Sequence, residues 1–349
     1  MEFAAFGCSL DALDAPEKVS MKRAYVEARS RGIVGDELAG DPYDLLLPRL
    51  ADIPGLEAAG RLELEPWVTP RPSGTGPGNV SAEAYREFLD SGGCLRVAAC
   101  LRDFVRERVF PFRPLLLGVD HSLTGGVLEA LHGQAGGHEL NVIVLDSHFD
   151  AIPAAIRKEA AQGALSDEGG RLDSLPESYN CGTWLARALE SGVILPGNLV
   201  VIGTSDYPGH EPGSGEMAGM AAYREAYVAF EERGVRIIPK RVLRERGIRE
   251  AVGEALAGMK GRVYVSLDAD LGAGCDVNAV RFLDTVGLSA DEMLEVGRSI
   301  ARVIDDKDAR LAGLDVMEID VHLADLPESE DRTLEVCAEM VNALTYGVL

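Results

Sequence analysis

The stretch "VIVLDSHFD" ends a run of β-branched residues with Asp146, His148 and Asp150 at alternate positions. Every second side chain of a strand lies on one face, so at a strand's exit three such residues converge on one spot. Carboxylates and imidazoles are metal ligands by type. Comparable exits recur along the chain: "LLLGVDHS" places Asp120 and His121, "VYVSLDAD" places Asp268 and Asp270, and "VMEIDVH" places Glu318, Asp320 and His322. One Asp at a strand end is commonly the N-cap of the turn that follows. Four or more carboxylates near one sheet edge need another explanation, because crowding like charges is costly. Asp146, Asp150, Asp268 and Asp270 bring a charge of about −4, which two divalent cations would balance. Hard oxygen ligands with two imidazoles favour manganese over zinc. Two such ions lower the pKa of a shared water toward neutrality, and the natural reaction is attack of the resulting hydroxide on an electrophilic carbon.

These residues need a scaffold that brings several strand ends together. Short β-rich runs alternate with helical periodicity, the pattern of a parallel sheet wrapped by helices. Expected strands are Glu2–Cys8, Arg61–Glu65, Pro114–Val119, Asn141–Leu145, Leu199–Gly203, Val235–Pro239, Arg262–Leu267 and Leu311–Ile319. Helical periodicity covers 18–30, 81–107, 124–133, 183–191, 215–233, 243–259, 289–305 and 329–346. In such sheets functional groups collect at the carboxyl ends of the strands. The stretch "WVTPRPSGTGPGNV" at 67–80 is expected to be a surface loop.

With 349 residues, 46% hydrophobic and 26% charged, the chain can bury a large core as a single domain over 1–349. A net charge of −23 argues against a nucleic-acid partner, whose phosphates need basic patches. The six cysteines form no CxxC pair, which argues against a zinc ribbon or a disulfide scaffold. No signal-peptide pattern precedes the first strand-like run and no apolar run is long enough to span a membrane, so a cytoplasmic protein is expected.

In order along the chain, "GVDHS", "DSHFD", "SLDAD" and "DVMEID" resemble the motifs of the ureohydrolase superfamily, which holds arginases, agmatinases and formimidoylglutamases. The resemblance implies a three-layer α/β/α sandwich with an eight-stranded, mostly parallel sheet, commonly assembled as a trimer or hexamer. It implies two Mn²⁺ per chain, one held by His121, Asp146, Asp150 and Asp268, the other by Asp146, His148, Asp268 and Asp270. Glu318 matches the acidic residue that binds the substrate's guanidinium. The implied reaction is hydrolysis of a guanidino or amidino C–N bond with release of urea.

Three departures from the family pattern bear on substrate and proton transfer. Where the family has His-Gly, "SYNCGTW" puts Cys181, with Asn180 beside it as a candidate substrate contact. A thiol carries a proton less readily than an imidazole at neutral pH, and His322 is a candidate substitute. The interval from Asp150 to Cys181 is longer than the family's, so a lid or insertion is expected over 151–180. "GTSDYPG" lacks the family's Arg and leaves Asp206 as a candidate for a substrate ammonium. Catalytic roles are thus expected for Asp150, Cys181, Glu318 and His322. The competing reading is a metal-binding member that has lost hydrolysis and acts as a binding or regulatory protein.

Overall fold

The computed structural model describes residues 2–35, 40–74, 76–135, 140–153, 155–156, 175, 178–210, 219–284, 286–306, 309–326 and 331–346. Eight short apolar runs form its strands: β1 (Phe3–Cys8), β2 (Leu56–Arg61), β3 (Arg113–Gly118), β4 (Leu140–Leu145), β5 (Leu199–Ile202), β6 (Arg236–Ile238), β7 (Gly261–Asp268) and β8 (Ala309–Met317). They build one sheet in the order β2-β1-β3-β8-β7-β4-β5-β6. Every pairing is parallel.

A parallel sheet is covered on both faces, which is why its inner strands are nearly continuous Val/Ile/Leu runs. In β4, Val142 and Val144 pack with Leu116 and Tyr264 on one side. Ile143 and Leu145 pack with Leu117 and Val265 on the other. Helices Pro16–Ser30, Ala82–Asp90, Leu123–Ala135, Trp184–Glu190 and Met220–Glu232 supply the first core, for example through Val19, Tyr85, Val127, Leu185 and Tyr227. Helices Ile248–Ala255, Ala290–Asp306 and Thr333–Tyr346 supply the second through Val252, Val296 and Val341. The architecture is the expected α/β/α sandwich.

Several boundaries differ from the sequence reading. The second strand lies at Leu56–Arg61 rather than at 61–65, and its register against β1 shifts between Ala5 and Phe6, beside Gly60 at a φ of +84°. The helix expected over 81–107 breaks at Gly92, whose φ is +78°, and restarts as Gly93–Phe104. The one expected over 243–259 is two, Lys240–Arg246 and Ile248–Ala255, separated by Gly247 at +87°. Periodicity alone reads through such glycines because it tracks side chains and is blind to a left-handed backbone. Most of the 151–180 segment, including 157–174, lies outside the described residues.

The order of strands brings the chemistry together. The four motif-bearing strands, β3, β8, β7 and β4, are consecutive neighbours at the middle of the sheet. The chain reaches β4 only after leaving β3, and β7 and β8 later fill the space between them. That is a topological switch point, where loops diverge and leave a crevice at the strands' carboxyl ends.

Candidate metal centre

All four exits use the same local device. The Asp at or just past each strand's end accepts a hydrogen bond from the backbone N–H two residues on, an Asx turn. Asp146 Oδ1 takes His148 N at 2.6 Å, and Asp268 Oδ1 takes Asp270 N at 2.8 Å. Asp120 Oδ1 takes Ser122 N at 3.0 Å, and Asp320 Oδ1 takes His322 N at 2.9 Å. What differs is the second oxygen of each carboxylate.

In Asp146 and Asp268 it faces the cluster of ligands. His121 Nδ1 lies 3.0 Å from Asp268 Oδ2, 3.2 Å from Asp150 Oδ2 and 3.3 Å from Asp146 Oδ2. His148 Nδ1 lies 2.9 Å from Asp270 Oδ2 and 3.6 Å from Asp146 Oδ1. Two groups of donors result, His121–Asp146–Asp268 and Asp146–His148–Asp270, within each of which the ligand atoms lie within 4.8 Å of one another. They share Asp146. Gly203 makes room for this loop: a Cβ there would stand 2.1 Å from Leu271 Cδ1 and 3.1 Å from the Asp146 carbonyl.

His121, Asp146, Asp268 and Asp270 are buried. His121 Nδ1, Asp146 Oδ2 and Asp270 Oδ2 have no hydrogen-bond partner. Buried polar atoms are nearly always paired, so three orphans at one point mark a missing cationic partner. The electrostatics agree. Burial raises the Asp268 carboxyl well above the usual range, and the charges of Asp270 and Asp146 push it further. Burial also opposes ionisation of Asp146, yet the imidazoles of His121 and His148 beside it hold that carboxyl well below its ordinary value. Burial would lower both imidazoles. The carboxylates around His121 and those of Asp270 and Asp146 around His148 overcome it and hold both well above the ordinary histidine value. The protons stand where divalent cations would, so the donor set fits metal ions.

A second layer fixes the ligands. His121 Nε2 lies 2.9 Å from Ser266 Oγ, and Ser266 donates to Asp315 Oδ1 at 2.7 Å. Tyr264 and Thr124 hydroxyls close on the other Asp315 oxygen, each at 2.7 Å. Trp184 packs tilted against His121 at 4.9 Å between centroids and donates from Nε1 to Asp150 Oδ2 at 3.1 Å. Buried Lys240 reaches Ser147 Oγ at 2.5 Å, and Ser147 in turn donates to the Asp270 carbonyl at 2.7 Å. Such outer partners orient imidazoles and carboxylates for metal.

Of the other expected site residues, Glu318 lies at the crevice, with Oε1 accepting from His121 N at 2.9 Å. It is the one non-glycine residue at positive φ among those described, at +62°, a conformation costing on the order of 1 kcal/mol or more. Both its carboxylate oxygens are bound by Arg281 Nη1, at 2.9 and 3.0 Å. Burial pushes the Glu318 carboxyl up to about 8 against the pull of Arg281. Cys181 is half-buried. Burial raises its thiol well above the ordinary value, and the nearby carboxylates of Asp120, Glu318 and Asp150 add to this. Asn180 Oδ1 accepts from Gly182 N at 2.9 Å and its Nδ2 donates to Ser178 O at 3.1 Å, an arrangement that opens helix Trp184–Glu190. Asp206 receives the hydroxyls of both Tyr223 and Tyr227 from helix Met220–Glu232. His322 sits against the Pro70 carbonyl at 2.9 Å and edge-on to Tyr25 at 6.0 Å. Sequence reasoning missed Trp184, Asp315 and Lys240 as supports, and Arg281 altogether. The first two lie in or beside quoted motifs; nothing near Lys240 or Arg281 in sequence marks them.

Comparison with known proteins agrees with this geometry. The model of the Arginase family matches residues 78–346. The chain belongs to the arginase family. Its fold superposes on arginase from Bacillus subtilis with a TM-score of 0.61, at 19% identity over 100% of both chains. Proclavaminate amidino hydrolase from Streptomyces clavuligerus gives 0.56 at 20% identity, over 99% of this chain and 92% of that one. Formimidoylglutamase from Bacillus subtilis gives 0.57 at 15% identity, over 99% and 87%. Comparison with curated protein sequences returns no match. The arginase-family fold therefore carries a buried set of candidate metal ligands at its central strand ends. No helix among the described residues is long and apolar enough to cross a membrane.

Proposed function

We propose that this arginase-family chain is a binuclear manganese-dependent hydrolase of a C–N bond in a guanidino or amidino compound, releasing urea or a related amide. The observation that carries this reading is the pair of donor groups sharing Asp146, with three buried ligand atoms left without partners. His121, Asp146, Asp150 and Asp268 would hold one ion, and Asp146, His148, Asp268 and Asp270 the other. Bound there, two divalent cations supply an acidified water and a Lewis acid for the carbon under attack.

The chain's own groups do the rest. Asp150, held by Trp184, takes up the proton released as water adds to the carbon. Cys181 keeps its proton beside Asp120, Glu318 and Asp150, gives it to the departing amine and regains one from Asp150, which closes the proton cycle. His322, expected as an alternative proton carrier, is engaged with Pro70 and Tyr25, which favours Cys181 in that role. Asp206 and Asn180 lie in structural hydrogen bonds and contribute by shaping the rim. We take the enzyme to be a homo-oligomer, a trimer or hexamer as the family resemblance implies, and cytoplasmic.

A metal-binding member without hydrolysis is favoured by one feature, a thiol at Cys181 where the family's motif has His. The test is a screen for urea and ammonia release from arginine, agmatine, guanidinobutyrate and guanidine, and from uncharged ureido and acylated amidino analogues of them, by the manganese-loaded chain and its Cys181→His variant. Turnover by the native chain supports the hydrolase. Turnover gained only in the variant supports the binding protein, and turnover in neither overturns the hydrolase reading.

A further inference from the structure

Glu318, the acid that the family resemblance assigns to a substrate's guanidinium, already holds one from the chain itself. Arg281 is buried, and its Nη1 spans both oxygens of Glu318 at 2.9 and 3.0 Å. Nη1 also donates to the Val119 carbonyl at 3.3 Å, while Nη2 reaches Asp120 Oδ2 at 3.3 Å and Asp11 Oδ1 at 3.0 Å. This is a guanidinium bound between carboxylates with charge-assisted bonds, among the strongest polar contacts available.

Its backbone is fixed as firmly. Arg281 N donates to Glu318 O and Asp320 N to Ala279 O, each at 2.9 Å, so the segment runs antiparallel to the chain leaving β8. The following residues border the metal ligands: Phe282 stands edge-on to His148 at 6.4 Å, and Asp284 pairs with buried Lys240 at 2.9 Å. Phe282 and Leu283 keep exposed apolar surface there. Arg281 is thus held on Glu318 from a segment pinned across the mouth beside His148.

We propose that Arg281 is the specificity-determining residue of this site: by occupying Glu318 it excludes cationic guanidinium heads and directs hydrolysis to C–N groups uncharged at neutral pH, such as ureido or acylated amidino groups. This rests on the hydrolase reading above and moves its substrate class from charged guanidinium to uncharged C–N groups. A cationic head approaching Glu318 must displace an intramolecular guanidinium that also leaves Asp11 and Asp120, whereas a neutral head makes no claim on that carboxylate. In the reaction, the oxygen of water bonds to the C–N carbon, the C–N bond breaks, and the amine leaves with the proton.

The test is calorimetric titration of the manganese-loaded full chain, and of Arg281→Ala and Arg281→Lys, with guanidinium chloride and with agmatine. Arg281→Lys keeps a positive charge at the site and remains measurable if the alanine variant fails to fold. The expected order of affinity is wild type below Lys below Ala, with agmatine gaining about tenfold or more. The agmatine arm matters because a closed cavity left by a merely structural ion pair would admit guanidinium but not a tailed ligand. Equal agmatine affinity in wild type and variants overturns the proposal. A parallel ammonia- and urea-release assay compares agmatine with its ureido counterpart. Faster wild-type turnover of the ureido compound supports the proposal, and faster turnover of agmatine overturns it. If no chain turns over any compound, the hydrolase reading fails while the titration still decides the role of Arg281.

Discussion

Two pairs of Asx turns stand side by side at the sheet's carboxyl edge and end in opposite electrostatic states. At Asp120 and Asp320 the second carboxylate oxygen meets a cation of the chain, Arg281 at 3.3 Å and Lys18 at 2.7 Å. At Asp146 and Asp268 it meets only the imidazole of His121 and the neighbouring acids. The backbone device is identical, so the difference lies in who balances the charge. One pole carries its counter-cations within the polypeptide. The other finds counter-charge only in protonated imidazoles or in metal ions. Counting acids along the sequence cannot separate the two; asking which acids already own a cation can.

The comparison breaks most visibly if a shared ligand is removed. Asp146→Ala or Asp268→Ala should lower metal content to one ion or none and cut turnover by about a thousandfold or more, since several kcal/mol of charge stabilisation goes with the ions. Elemental analysis and a rate assay check this together. Arg281→Ala breaks the opposite pole. It leaves Glu318, Asp120 and Asp11 buried with too little counter-charge, and should cost about 3–5 kcal/mol in denaturant unfolding while leaving metal content unchanged.

Smaller effects should come from the supports. Trp184→Phe removes the Nε1 hydrogen bond to Asp150 but keeps a ring against His121, and Ser266→Ala removes the partner of His121 Nε2. Each should weaken metal binding by about 10–100-fold with the fold intact, measured by competition with a chelator. Tyr223→Phe should be smaller still. One hydroxyl to Asp206 is worth about 1 kcal/mol of stability, and turnover should not change.

A pH series sharpens the same contrast. His121 and His148 are held protonated in the metal-free chain by their carboxylate neighbours, so their folded values lie above the unfolded ones. Their contribution to metal-free stability is therefore complete below the ordinary histidine value and is lost as pH rises through the folded values. Metal needs the neutral imidazole, so uptake releases protons and tightens over that same rise. Thermal melts with and without manganese should diverge as pH increases: the metal-free midpoint falls and the metal-dependent gain grows. A gain that shrinks toward alkaline pH would remove the two histidines from the site.

Much of this was legible in the residues. Motifs of alternating Asp and His at strand ends announce both the parallel sheet and the ligand cluster, because period two fixes which side chains share a face. The strand order was not written there, yet it is what makes β3, β8, β7 and β4 neighbours. Helix breaks at Gly92 and Gly247 escaped a reading based on apolar spacing. The roles expected for Asp206 and Asn180 rested on residue type, whereas their partners, two tyrosines from a helix and a local turn, depend on contacts that type does not reveal. Arg281 is the plainest case. One arginine in a loop, far along the chain from Asp11, Asp120 and Asp146, carries no local mark, and only the fold shows which acids it satisfies and which it leaves without a cation.

The most direct measurement is metal content by elemental mass spectrometry after purification with manganese, without chelator, and thorough desalting. About two manganese per chain are expected, falling to one or none in Asp146→Ala. One ion or none in the native chain would contradict this, since the protons on His121 and His148 would then be the resident counter-charge and the cluster would be no binuclear site.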